Sequence, residues 1–156
     1  MVASDLKKIE RKTMIRAPRS RVWRALTDVG EFCVWFHAET SETAFRPGAA
    51  VPMLSTYEGP CYRMRFTIHV VEMIPDERFS WRWHPGTNPS GEDLSGEPMT
   101  LVEFHLEDAE GGTLVTVIET GFDLLLQHRQ ARVFGENEGG WLAQMASLEQ
   151  YLDKRK

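Results

Sequence analysis

Cysteine is scarce: Cys33 and Cys61 are the only two in 156 residues. That is too few for a disulfide framework, so a reducing cytoplasm is the expected setting. No apolar run approaches the roughly 18 residues of a membrane helix. The opening Met1-Val2-Ala3-Ser4-Asp5-Leu6-Lys7-Lys8 lacks the apolar stretch of a secretory signal. Neither a membrane nor an export route is expected. Positive charge is missing from a long tract, since Pro85 to Asp123 holds nine acids and no Lys or Arg. With a net charge of −5, the chain lacks the overall basic balance of most nucleic-acid binders, and no nucleic-acid partner is expected. The chain also lacks the G-x-S-x-G elbow, the G-x-G-x-x-G loop, the P-loop and the H-E-x-x-H pair.

What is present points to one packed domain spanning residues 1–156. Five Trp, eight Phe and three Tyr can bury enough apolar surface to offset chain entropy. Eight Lys or Arg lie between Asp5 and Arg24, against two acids. This basic stretch either solvates a strand and a helix, steers a partner, or lets two copies of the chain approach.

Hydrophobic spacing gives the elements. Residues 8 to 16 read as a strand with Ile9 and Ile15 on one face. Pro18 suits a first helical turn, and Val22, Trp23, Ala25 and Leu26 follow at helical spacing. Asp28 ends that helix and caps a short second one through Phe36. Strands are expected over 50–57, 64–74, 79–83, 101–106 and 114–122, joined by short turns as an antiparallel meander. Trp141, Met145, Leu148 and Leu152 then form one stripe of a terminal helix, with Gly139 and Gly140 at its first turns. His84 to Pro98 carries no pattern and reads as a mobile lid or an edge loop.

Several phrases of the chain resemble those of a known group. Ala17-Pro18-Arg19-Ser20-Arg21-Val22-Trp23-Arg24-Ala25-Leu26-Thr27-Asp28 is similar to the "APxxxVWxALTD" opening of the SRPBCC, or START-like, superfamily. Trp35-Phe36 resembles its "WF", and the stretch Val70 to Phe79 its "VxExxPxxRL". Gly112-Thr113-Leu114, Gly121-Phe122 and Gly140-Trp141 followed by Leu148 resemble "GTxL", "GF" and "GWxxxLxxL". Together they resemble the branch named after the activator of the heat-shock protein 90 ATPase. The resemblance implies an α+β helix-grip fold, in which an antiparallel sheet wraps around a long C-terminal helix and encloses an apolar cavity.

Placed on that fold, strand alternation turns Val115, Val117 and Glu119 inward, with Val102, Phe104 and Leu106, Phe79, Trp81 and Trp83, and Met64, Phe66, Ile68 and Val70. Glu119 is the exception among these apolar neighbours, and a buried carboxylate must be paired, hydrogen-bonded or protonated. It is either a polar anchor or acid/base at the bottom of a pocket, or a strand-end residue that pairs with an Arg or reaches solvent. Trp35, Trp81, Trp83 and Trp141 either wall a ligand or fill the core. The candidate ligand-binding set is Trp35, Phe66, Trp81, Trp83, Phe104, Val117, Glu119, Trp141 and Met145. Cys33 and His37 stand four apart, a metal-ligand spacing with no further ligands to complete it, so no metal, cofactor or catalytic residue is expected. The expected function is binding of a hydrophobic or aromatic small molecule. The alternatives are a polyketide cyclase or dehydratase, and a co-chaperone-like module acting on an ATPase. A homodimer and a chaperone partner stay open beside them.

Overall fold

The computed structural model describes residues 7–59 and 62–154. The chain runs through β1 (Lys8–Ile15), α1 (Arg19–Thr27), α2 (Val29–Phe36), β2 (Ala38–Glu39), β3 (Ala50–Ser55), β4 (Arg65–Ile74), β5 (Arg78–Trp83), β6 (Thr100–Ala109) and β7 (Gly112–Thr120). A 3-10 turn over Phe122–Leu124 leads into α3 (Gln127–Lys154). The strands form one seven-stranded sheet in the order β1-β7-β6-β5-β4-β3-β2, antiparallel throughout. From β2 to β7 it is the expected meander, and β1 closes the far edge against β7. This is the helix-grip arrangement.

Local chemistry explains the joints. Asp28 ends α1 and caps α2, its side chain accepting from the Glu31 N–H at 2.9 Å. Pro18 stands one position earlier than expected, as the residue before α1, with extended backbone. At the β6–β7 hairpin, β7 crosses the end of β1 so closely that a Cβ on Gly112 would lie 2.0 Å from the Ile15 carbonyl oxygen. Only glycine allows that approach. The adjacent Thr113 hydroxyl donates to the Ala17 carbonyl at 2.7 Å.

The inward faces follow the predicted alternation. Phe79 and Trp81, Val102 and Phe104, and Val115 and Val117 are all fully buried. Against them pack α2, through Phe32 and Trp35, and the α3 stripe Trp141, Met145, Leu148 and Leu152. The Trp35 indole N–H donates to the Ala25 carbonyl at 2.8 Å, which ties α2 to α1.

Two expectations change. Helix α3 has 28 residues and begins at Gln127, so Gly139 and Gly140 lie in its middle rather than in its first turns. Its inward stripe continues backwards from Trp141 through Asn137, Val133 and Arg129. Two of those three are polar, so apolar spacing alone cannot show them.

The second change concerns His84 to Pro98, which is tied down by a buried ion pair. Glu97 is 4% exposed and Arg129 1%. The Arg129 guanidinium donates to both Glu97 oxygens, at 3.2 and 3.1 Å, and to the carbonyls of Pro85 and Thr87. Gly86, at φ +77°, lets the same segment sit on Val133, where a Cβ would come within 2.8 Å. The segment is irregular but clamped to the start of α3.

Removing one member of a buried pair strands the other charge. Glu97→Ala and Arg129→Ala should each lower unfolding free energy by about 3–5 kcal/mol. Urea midpoints measure this, and limited proteolysis of the variants should cut first within 84–98. Losses within about 0.5 kcal/mol, the range of ordinary surface changes, would show that the clamp contributes little.

Candidate functional site

The end of the sheet where β5, β6 and β7 meet α3 gathers four hydrogen-bond donors around one carboxylate. Glu119, near the end of β7, pairs in register with Val102 of β6, and Trp83 of β5 pairs with Thr100 of β6. Alternation brings Trp83, Thr100 and Glu119 to the same face. On α3, Asn137 and Trp141 stand one turn apart and face them.

Glu119 Oε2 accepts from the sheet, from Trp83 Nε1 at 2.8 Å and Thr100 Oγ1 at 2.6 Å. Its Oε1 accepts from the helix, from Asn137 Nδ2 at 2.9 Å and Trp141 Nε1 at 2.8 Å. An ionised carboxylate offers about four acceptor sites, and all are used. The residue is fully buried. Its partners are neutral donors, so neither an Arg partner nor exposure to solvent accounts for it. Burial raises its pKa above the ordinary carboxylate value, and the opposing pull of the four donors does not cancel that rise.

Beside this clamp lies a cleft of about 340 Å³. Its sheet side is Ser55, Tyr57, Met64, Phe66 and Trp83, and its α2 side is Phe36. His84, Pro85 and Gly86 form one rim, and α3 supplies Glu136, Asn137, Gly139, Gly140, Trp141, Ala143 and Gln144. The wall is aromatic. Trp83 and Trp141 stack at 5.9 Å with planes 29° apart, and Phe66 and Phe36 lie 5.9 and 6.1 Å from Trp83. Glu119 therefore holds the indole edges while their rings stand in the cleft wall.

No Lys or Arg lines the cleft among the described residues. Glu136 accepts from the Thr87 N–H and hydroxyl at 2.9 and 2.8 Å and from Arg132 at 3.0 Å. Burial raises its pKa, but these hydrogen bonds and the Arg132 charge outweigh it and hold the carboxyl below its ordinary range. The charge is thus already compensated.

Of the nine residues expected from sequence, Phe66, Trp83 and Trp141 stand in the cleft wall. Trp35, Trp81, Phe104, Val117 and Met145 do not line it. They are buried in the core. The reason is coverage: α2 and the apolar half of α3 cover the middle of the sheet, while space remains beside Trp83. Glu119 lies behind the wall, attached to it through its donors. Sequence reasoning missed Phe36, Ser55, Tyr57, His84, Asn137 and Gln144 as cleft residues. A signal existed only for Gly139 and Gly140, since each mid-helix glycine costs about 1 kcal/mol relative to alanine.

Among the described residues, no group of three or more His, Cys, Asp or Glu could hold a metal ion. His37 Nε2 lies 3.4 Å from the Ser147 hydroxyl, and burial raises the Cys33 thiol above its ordinary pKa, reinforced by the Glu39 charge. No described helix is long and apolar enough to cross a membrane.

Glu119→Gln tests the clamp. Thr100 and Asn137 can turn to accept, but an indole can only donate. Whichever way the amide lies, its N–H end faces one indole N–H, of Trp83 or of Trp141. A loss of about 1–3 kcal/mol is expected. The raised carboxyl pKa adds a pH signature. Between the unfolded and folded pKa values the folded state keeps a proton that the unfolded state has released. Stability from this group is therefore full below the unfolded value and falls as pH rises through the folded one. Urea midpoints across pH should show that fall as the difference between the wild type and Glu119→Gln, since the other titrating groups are common to both. Identical slopes would remove Glu119 as their source.

Comparison with solved structures agrees with this architecture. Protein MLL2253 from Mesorhizobium loti superposes with a TM-score of 0.74 at 20% identity, covering 96% of this chain and 99% of that one. The Aha1 dimer from Colwellia psychrerythraea gives 0.68 at 19% identity, over 97% and 96% of the two chains. DynU16, encoded in the dynemicin biosynthetic locus, gives 0.71 at 23% identity, over 96% of this chain but 48% of that one. At these identities the likeness is one of fold. No curated protein matches the chain significantly. Residues 16–153, however, match a family model over most of the chain, and the protein belongs to that family, described as Activator of Hsp90 ATPase homolog 1-like protein.

Proposed function

We propose that this protein binds an apolar small molecule in the cleft between β4, β5 and the middle of α3. The observation that carries this reading is the aromatic wall of Phe36, Phe66, Trp83 and Trp141 around about 340 Å³ of space. Binding sites for small molecules are concave, mostly apolar, and start near this size. Apolar burial would supply affinity at about 25 cal/mol per Å². The wall is also preorganised, because Glu119 fixes both indoles before any ligand arrives.

Binding rather than acid–base chemistry by a carboxylate is supported by the state of the two acids at the cleft. A general acid or base must reach the reacting proton. The four acceptor positions of Glu119 are filled from within the protein, and Glu136 is engaged by Thr87 and Arg132.

Calorimetric titration with 2-naphthol, a neutral two-ring probe, should show saturable binding that Phe66→Ala and Trp83→Ala weaken. Native mass spectrometry of freshly purified protein should show a small co-purifying mass. Absence of both signals in the wild type would overturn the ligand-binding reading.

A further inference from the structure

Helix α3 carries three interior glycines, Gly135, Gly139 and Gly140, although glycine is the weakest helix former after proline. All three are exposed, and a packed neighbour that leaves no room for a Cβ is the common reason for a helix to keep a glycine. That explanation fails here, since a Cβ at any of the three would meet nothing within 4 Å. Two of them, Gly139 and Gly140, stand in the cleft wall, and Gly135 does not. The wall opposite carries Met64, Phe66 and Trp83.

We propose that Gly139 and Gly140 form a bare strip of helix backbone against which a flat, uncharged ring system lies, sandwiched by the aromatic wall. This deepens the ligand-binding reading and rests on it. Flatness follows from the two faces: on one, the bare backbone at Gly139 and Gly140 between Asn137 and Ala143, and on the other, the rings of Phe66 and Trp83. A thin, wide ligand satisfies both by dispersion and stacking.

The charge preference follows from the lining. A carboxylate or phosphate entering the cleft would lose its water and find no Lys or Arg in the described lining. Fatty acids and phosphorylated ligands are thereby disfavoured relative to neutral rings.

The three glycines make an internally controlled experiment. Each Gly→Ala change should raise the melting temperature, because alanine favours the helix and has room. Gly139→Ala and Gly140→Ala should weaken 2-naphthol by about tenfold or more, since a methyl now occupies the ligand's contact face. Gly135→Ala should raise the melting temperature with affinity unchanged. The wild type should bind 2-naphthoate about tenfold or more weakly than 2-naphthol. Unchanged 2-naphthol affinity in both Gly139→Ala and Gly140→Ala would overturn the bare strip while leaving ligand binding intact. Equal affinity for 2-naphthoate would overturn the charge preference. A wild type that binds neither probe would instead fail the underlying reading.

Discussion

A single buried carboxylate joins the sheet to the helix that it grips. Glu119 accepts two hydrogen bonds from β5 and β6 through one oxygen and two from α3 through the other. Burying a charge without a counter-ion is costly, and it is tolerable here because every acceptor site is filled. The arrangement also positions what faces the cleft. Both indole N–H groups point at the carboxylate, so the rings of Trp83 and Trp141 are held edge-in beside open space. The polar clamp and the apolar wall are two sides of the same tryptophans.

A second buried charge acts at the other end of the same region. Arg129 and Glu97 hold the irregular segment after β5 against the first turns of α3. Pro85 and Gly86 of that segment form a rim of the cleft, so the pair fixes the rim as Glu119 fixes the wall. Between the two clamps α3 passes the cleft with Gly139 and Gly140 turned toward it. Neither glycine has a side chain to fill the space at this point. Further along α3, Met145, Leu148 and Leu152 pack into the core instead.

Much of the fold was legible because hydrophobic alternation repeats along every long strand. The inward sets ending in Trp81, Phe104 and Val117 are fully buried as read, and the family phrases name the same joints that Asp28 and Gly112 make physically. The site was less legible. Alternation tells which residues face inward but not which of them another element covers. Trp81 and Trp83 look equivalent in sequence, yet Trp81 lies beneath Phe32 and Trp83 stands at the cleft.

The sequence by itself determined the strand order of faces, the caps, the apolar half of α3 and the presence of an inward carboxylate on β7. Those are properties of neighbours within a few residues, and periodicity records them. Only the tertiary structure decided the partners of that carboxylate, because Trp83, Thr100, Asn137 and Trp141 come from three separate elements. It also decided that α3 begins at Gln127, since Arg129 and Asn137 are helix-face residues whose burial depends on Glu97 and Glu119. Buried polar groups carry no hydrophobic period. Their placement is written in distances between elements, and those exist only after the chain has folded.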